Sequence, residues 1–562
     1  MSALEQIKKT TTLSEFAILM GYKPKTLSYI IYIIENDAKY NEFIISKKGG
    51  GSRKIKAPVD ELKYLQKCLA RYLNKCFEEI CVKDKHKDSL SHGFRKNHSI
   101  VTNANKHIRK RHVFNVDLQD FFPSINFGRV RGFFIKNHHF KLEPKVATII
   151  AQIACHENEL PQGSPCSPII SNLIGHLLDI RMVYLAKKTN CTYSRYADDL
   201  SFSTNKKEFS QKIALKKEGI NNEWEPGNTL RKEILKVGFN INDGKTSLQH
   251  KTRRQVTTGL IVNEKVNIKK EYYKKARAMC NSLFQLGEFH IGVNNITEEK
   301  IAGSINQLEG ILSYIYKIKG EYDDGRNISD KRYKPKGTAK LYRNFLAYKH
   351  FFSLTQPLII CEGKTDIIYL KCALMQLEET YKDLIEKDTN GFTFKINFLK
   401  FTKNFKKTFV ISSGTPGLLD LMRIYDRPMK LFKGKSKMHP VIILVDEDSG
   451  SDKIKHYLKL PKDIVFKESF YYVKENLYIV PIPTVNGNKE SAIEDLFEKN
   501  VLEMKIAEKS FDRGKKIDVD TKYGKIVFAE KVIKANQGTI NFDKFKGLLD
   551  RFNLVIRDYS TR

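Results

Sequence analysis

Residues 191–204, CTYSRYADDLSFST, alternate polar with apolar or aromatic side chains on both sides of one Asp-Asp step. A period of two belongs to a half-buried β-strand, and two such runs separated by a tight turn fold back on each other as a hairpin. The spacing therefore predicts that Asp198 and Asp199 are lifted to a hairpin tip. A second apolar strand, HVFNVDL, carries Asp117 at its end. An isolated Asp-Asp pair is more often a solvated turn. Two acid-bearing strands, by contrast, suit a pair of divalent cations, because magnesium takes hard oxygen ligands and keeps several waters, so a protein need supply only a few carboxylates.

Charge points the same way. The chain has 98 Lys+Arg against 64 Asp+Glu, a formal net charge of +34, far beyond what solubility requires. Nucleic acid is the expected partner, although a lysine-rich surface and an AT-rich genome give the same composition. At 562 residues, 41% hydrophobic and 29% charged, the chain is expected to be globular with several domains, three by length. Nine cysteines without a C-x-x-C pair read as reduced thiols and not as a zinc site. With neither a signal segment nor an uncharged membrane-length run, the expectation is a cytoplasmic protein without a membrane partner.

Residues 11–34 read as two short helices around Gly21-Tyr22-Lys23-Pro24, similar to a helix-turn-helix but of a kind that more often serves packing than groove reading. NEFIISKKGGGSRKIKAP reads as a basic β-hairpin with a flexible tip at Gly49-Gly50-Gly51. From 111 to 263 strands alternate with helical stretches, an α+β pattern. Residues 264–350 are helical in period, with basic residues among aromatics in KKEYYKKARAM and KRYKPKGTAKLYRNFLAYKHFF. From 357 a new strand-helix alternation begins, which predicts a domain boundary near 350–356.

Four ordered segments resemble the palm motifs of the reverse-transcriptase family: NVDLQDFF, LPQGSPCSP, YADD and GFNINDGKT. The resemblance covers roughly residues 40–350. It implies that Asp117, Asp198 and Asp199 bind two Mg2+ ions and that Phe122 crowds a ribose 2′-hydroxyl to select deoxynucleotides. It also implies that Gln162 lines the nucleotide pocket, that Lys245 protonates the leaving pyrophosphate, and that Arg53 grips the triphosphate. Two of these have an ordinary alternative: Phe122 as a core aromatic beside Phe121, a role compatible with the first, and Lys245 as an exposed lysine.

Asn103-Ala104 followed by His107 in VTNANKH resembles the N-A-x-x-H signature of retron reverse transcriptases. QVTTGLIVN resembles their V-T-G motif, with Thr257 where Val is usual. The resemblance implies RNA contacts at Asn103, His107, Thr258 and Gly259, a structured noncoding RNA as partner, and priming from a guanosine 2′-hydroxyl to give branched msDNA from dNTPs. His107 as a polar helix residue and Gly259 as a strand bend are the plainer readings.

Residues 357–562 carry a second acidic set. LIICEGKTD places Glu362 and Asp366 just past an apolar strand, and VIILVDEDSG places Asp446 and Asp448 past another. Carboxylates at the C-terminal ends of adjacent parallel strands converge where open α/β sheets bind ligands, although such residues also serve as helix N-caps. The segments resemble the Toprim fold, and SAIEDLF (Glu494, Asp495) with GKIVFAEKV (Lys525) resembles its overcoming-lysogenization-defect nucleases. This implies Glu362, Asp446, Asp448 and Glu494 as ligands of Mg2+ or Mn2+, and Lys525 beside a scissile phosphate.

The expected architecture is an α+β right-hand polymerase with fingers, palm and helical thumb, followed by an α/β Toprim domain with a parallel sheet. Its parts are an N-terminal helical segment (1–40), fingers and palm (41–263), a basic thumb (264–350) and a Toprim-like nuclease domain (351–562). The implied function is a bacterial retron polymerase fused to an effector nuclease of antiphage defence, acting by abortive infection. A homo-oligomer is compatible with the sequence. Two alternatives stand beside this reading: a catalytically silent nucleic-acid-binding C-terminal module, and an intron-maturase-like enzyme.

Overall fold

The computed structural model describes the chain except residues 47–50, 84–90, 218–222, 294–297, 321–324, 390, 435–437, 462–464, 486–489 and 515–516. It divides into two compact units, Met1–Lys269 and Lys270–Arg562.

The first unit is built on a four-stranded antiparallel sheet in the order Thr192–Tyr196, Asp199–Thr204, His112–Gln119, Asn240–His250. One of its flanking helices, Ser167–Thr189, has the length and composition of a membrane span, but 67% of its apolar window is buried within the protein. It is a core helix, interrupted by the charged residues Asp179 and Arg181. The short helices Ala3–Lys9 and Leu13–Met20 bury Leu4, Ile7 and Phe16 in the same core as the long helix Asp60–Lys83. Gly21, in the left-handed region at φ 80°, caps Leu13–Met20, so the 11–34 helix pair has a packing role here.

Strands Tyr40–Ser46 and Ser52–Pro58 pair antiparallel from Tyr40↔Pro58 to Ser46↔Ser52. Most of the glycine tip expected at 49–51 lies outside the described residues.

The second unit holds a five-stranded sheet in the order Asn397–Phe398, Leu358–Ile360, Val441–Val445, Leu477–Pro481, Tyr471–Lys474. Its first four strands are parallel and the last is antiparallel. Strands Leu358–Ile360 and Val441–Val445 are buried throughout, as expected for a sheet covered on both faces.

The division expected at 350/351 is corrected by the structure, because the helical stretch from Lys270 belongs to this second unit. The Asn476 side-chain amide donates to the carbonyls of Phe351 (2.9 Å) and His439 (2.7 Å). Phe351 lies tilted beside Tyr425 with ring centroids 5.0 Å apart, and Phe432 meets Phe352 at 5.0 Å and, from the other side of position 350, Phe284 and Tyr348 at 5.1 and 5.2 Å. A composition shift marked a change of secondary structure there, while the aromatic residues on both sides form one core.

Candidate active sites

In the first unit, Tyr196 pairs with Asp199 across a two-residue turn, Ala197-Asp198, with Ala197 at φ 54°. The hairpin tip is tied to its neighbour by the Leu118 amide, which donates to the Asp198 carbonyl (3.0 Å). Asp117 stands directly opposite Asp199 in the ladder. The three carboxylates are therefore brought together. Burial, reinforced by Asp198 and Asp117, raises the Asp199 carboxyl to about 7; burial followed by the charge of Asp117 also raises Asp198. Clustered, half-desolvated acids of this kind are unfavourable as bare anions, and hard divalent cations are the ligands that relieve them. The donor set fits Mg2+.

Lys245 extends from the strand Asn240–His250 and donates to both oxygens of Asp117 at 3.0 Å. Arg53, on the Ser52–Pro58 strand, is close enough for its charge to lower the Asp198 carboxyl against the larger effect of burial. Gln162 does not project alone: its carbonyl accepts from the Lys56 amide (2.8 Å), and Gly163, at φ 130°, lies where a Cβ would stand 2.5 Å from the Lys56 carbonyl. The loop and the basic hairpin are thereby laced together. Phe122 is partly buried, 5.4 Å from Phe121 and 6.1 Å from Phe94 between ring centroids, so both its readings remain compatible.

Asn103 and His107 require correction. Both are fully buried, and neither is presented to an RNA. His107 Nδ1 lies 2.7 Å from Ser203 Oγ and Nε2 lies 2.7 Å from Ser194 Oγ, while Ser194 donates to Asn103 Oδ1 at 2.7 Å. Ser194 and Ser203 sit on the two strands of the acidic hairpin. The motif braces that hairpin from behind. Burial takes the His107 ring down to about 3, so it is neutral, one nitrogen donating and the other accepting.

Thr258 and Gly259 form the turn between Val256–Thr257 and Leu260–Ile261, with φ of 47° and 80°. Positive φ at both central residues is the I′ turn, which explains Gly259 and leaves Thr258 strained. Gly259 is exposed and Thr258 partly so, and the Thr258 hydroxyl donates to the Ile100 carbonyl (3.2 Å).

Sequence reasoning missed a second support of the hairpin. Arg195 is fully buried and bidentate to Asp179, Nε and Nη2 each at 2.8 Å, and its Nη1 donates to the Ala197 carbonyl (3.0 Å). Tyr193 Oη donates to the same carboxylate at 2.8 Å. A charged residue inside the apolar stretch Leu177-Leu178-Asp179-Ile180 was the available signal. Gly93 backs the turn so closely that a Cβ would stand 2.6 Å from the Ala197 nitrogen.

In the second unit, Glu362 follows Leu358–Ile360, and Asp446 and Asp448 follow Val441–Val445, the adjacent parallel strand. They line one cleft of about 960 Å³ with Lys453, Arg513 and Lys525. Burial, then Asp366, Glu362 and Glu494, raise the Asp446 carboxyl to about 8, which places these acids around it. Lys525 Nζ lies 3.0 Å from the Oε1 of fully buried Glu494. Asp448 also acts as the N-cap foreseen as the plainer reading, accepting from the Ser451 amide (3.1 Å), and Asp366 accepts from the Gly363 amide (2.8 Å). Asp448 keeps a second oxygen, whereas the other oxygen of Asp366 accepts from the Thr365 hydroxyl (3.2 Å); an all-carboxylate donor set around raised acids fits Mg2+ or Mn2+. Arg513 and Lys453 were not foreseen; surface cations in so basic a chain carry no distinguishing signal.

Residues 45–270 match the family model described as reverse transcriptase (RNA-dependent DNA polymerase). The chain is similar to the Retron Ec86 reverse transcriptase of Escherichia coli, 33% identical over 288 residues that cover 50% of this chain and 79% of that protein. It is also similar to the Retron Mx65 reverse transcriptase of Myxococcus xanthus, 29% identical over 314 residues covering 53% and 65% respectively. The Retron Mx162 reverse transcriptase of the same organism is 32% identical over 249 residues, covering 41% and 48%.

Proposed function

The chain belongs to the retron reverse transcriptases, and on that premise we propose that it copies part of a structured noncoding RNA into branched msDNA while its second unit is a metal-dependent nuclease.

The observation that carries the polymerase reading is the meeting of Asp117, Asp198 and Asp199 on the two inner strands of one antiparallel sheet and the turn that precedes one of them, with Lys245 on Asp117. When bound there, two Mg2+ ions activate the primer hydroxyl and stabilise the departing pyrophosphate. The three carboxylates hold them. Arg53 meets the triphosphate, the Gln162-Gly163 backbone shapes the nucleotide pocket, and Phe122 excludes a 2′-hydroxyl. Lys245 delivers a proton to the leaving group, which general-acid catalysis makes worth about 10²–10⁴ in rate. The primer is the 2′-hydroxyl of a guanosine in the RNA. Asp198→Asn is expected to abolish DNA synthesis while RNA binding survives, and wild-type extension by that variant would refute the ligand role.

For the second unit the reading is a Toprim-like nuclease. The supporting observation is the gathering of Glu362, Asp446, Asp448 and Glu494 with Lys525 at the C-terminal edge of a parallel sheet. Glu362, Asp446 and Asp448 hold Mg2+ or Mn2+, and Lys525, paired with Glu494, steadies the scissile phosphate. In this proposal the RNA–DNA product restrains the nuclease until phage infection releases it. Incubating the protein with RNA and DNA, with and without Asp448→Ala, tests the assignment: cleavage lost in the variant supports it, and cleavage retained removes it.

A further inference from the structure

The segment Val410–Thr415 joins two features distant in sequence, arginines of the 328–347 helices and Glu362. At one end, Arg332 Nε donates to the Val410 carbonyl (2.9 Å) while its Nη1 pairs with Asp420 (2.7 Å). Arg343, which is buried, donates from Nε to the Thr408 carbonyl (3.0 Å) and from its other nitrogens to the carbonyls of Arg332 and Lys331. Arg343 therefore holds Arg332 in place, and both grip the end of the helix Lys403–Phe409.

At the other end, Thr415 Oγ1 donates to Glu362 Oε2 at 2.9 Å. Gly414, at φ 73°, lies so near that a Cβ would stand 3.2 Å from Glu362 Oε1.

Little slack remains between the two ends. The Ile411 amide donates to the Lys406 carbonyl (3.1 Å), Lys406 Nζ donates to Ser413 Oγ (2.7 Å), and a Cβ on Gly417 would stand 2.2 Å from the Ser412 carbonyl. Val410 is held at φ 57°, a conformation that a β-branched residue keeps only where its surroundings impose it. The hydrogen bond from Arg332 to its carbonyl is one such restraint.

We propose that Arg332 and Arg343 are positioning residues for the second acidic cluster: acting through Val410–Thr415, they set the orientation in which Glu362 ligates a divalent cation. The metal affinity of the cluster then depends on the basic helical stretch that precedes the α/β sheet. The thumb-like helices and the nuclease site are parts of one linkage. Outer partners of metal ligands commonly govern affinity in this way, with losses of about 10–100-fold when they are removed.

This inference rests on the reading of the cluster as a metal site, and the test separates the two. The full chain carrying Asp117→Asn, Asp198→Asn and Asp199→Asn, which removes the polymerase ligands, is titrated with Mn2+ and the free ion followed by electron paramagnetic resonance. Expected are saturable binding that Asp446→Asn with Asp448→Asn abolishes, and a loss of affinity of about tenfold or more in Arg332→Ala and in Thr415→Val. Thr415→Ser, which keeps the hydroxyl, is expected to retain the parent affinity. Thr415→Val leaves the arginine clamp untouched, so it reports even if Arg332→Ala folds poorly. Parent affinity in folded Arg332→Ala and Thr415→Val overturns the linkage while leaving the metal site standing. Absence of cluster-dependent binding in the parent overturns the metal reading and the linkage with it.

Discussion

Lys245 Nζ lies 3.0 Å from each carboxylate oxygen of Asp117. The lysine thus occupies one face of a carboxylate proposed to hold a cation, and it competes with that cation for the same charge. Lys245→Ala should therefore lower the maximal rate of primer extension by about 10²–10⁴ if the lysine is the proton donor, while lowering the Mg2+ concentration needed for half-maximal rate. Extension assays across a Mg2+ titration separate the two effects. An unchanged maximal rate removes the proton-donor role.

The buried Asp179–Arg195 pair gives a stability prediction. Removing one partner of a buried ion pair costs about 3–5 kcal/mol, because the other charge is left without compensation. Asp179→Ala should lose that much in urea unfolding, and its folded fraction should extend primers poorly, since Arg195 also holds the Ala197 carbonyl. A variant as stable as wild type would show that the pair contributes little.

His107 makes part of the stability pH-dependent. Its folded pKa of about 3 lies below the ordinary value of 6.5, so the unfolded chain binds the proton more readily. Its contribution is fully present above pH 6.5 and is lost progressively as pH falls towards 3, at up to about 1.4 kcal/mol per pH unit. His107→Gln should flatten unfolding free energy against pH between 6.5 and 4. Parallel curves for the two proteins would exclude His107 as the titrating group.

Thr258 occupies a left-handed turn position that costs a β-branched residue about 1–2 kcal/mol. Thr258→Asn should raise the melting temperature. If the turn also meets the noncoding RNA, as proposed from its place in the V-T-G motif, the same variant should bind that RNA more weakly in filter or gel-shift assays. Higher stability with unchanged RNA affinity would assign the strain to folding alone.

Lys525 is paired with Glu494, a carboxylate with no exposure. Lys525→Ala should abolish nucleic-acid cleavage while leaving primer extension intact, and it should destabilise the second unit by leaving Glu494 buried without a partner. Parallel assays of cleavage and extension on one preparation check both halves. Cleavage at the wild-type rate would remove Lys525 from the site.

What was legible in the sequence was what local pattern determines. Period-two alternation places Asp198 and Asp199 at a tip, and the ladder partner of Asp199 is Asp117, an acid already visible at the end of its own strand. Glu362 and Asp446 were legible for the same reason, each closing a short apolar run. Asn103 and His107 were misplaced because a polar side chain reads alike in sequence whether it faces RNA or the serines of an adjacent hairpin. Asp179 and Arg195 were missed because their pairing depends on how a helix lies on a sheet, which no spacing encodes. The boundary expected near 350 falls inside the second unit for a related reason: Phe284 and Phe432 share a core across a change of periodicity.

The packing of Phe284 and Tyr348 against Phe432 bears on how the second unit could be separated from the first. A chain cut after 350 parts Phe284 and Tyr348 from Phe432 and exposes aromatic surface on both fragments. Anyone wishing to express the second unit alone should therefore cut at Lys269/Lys270. The smallest portable cassette carries the helices along with the sheet.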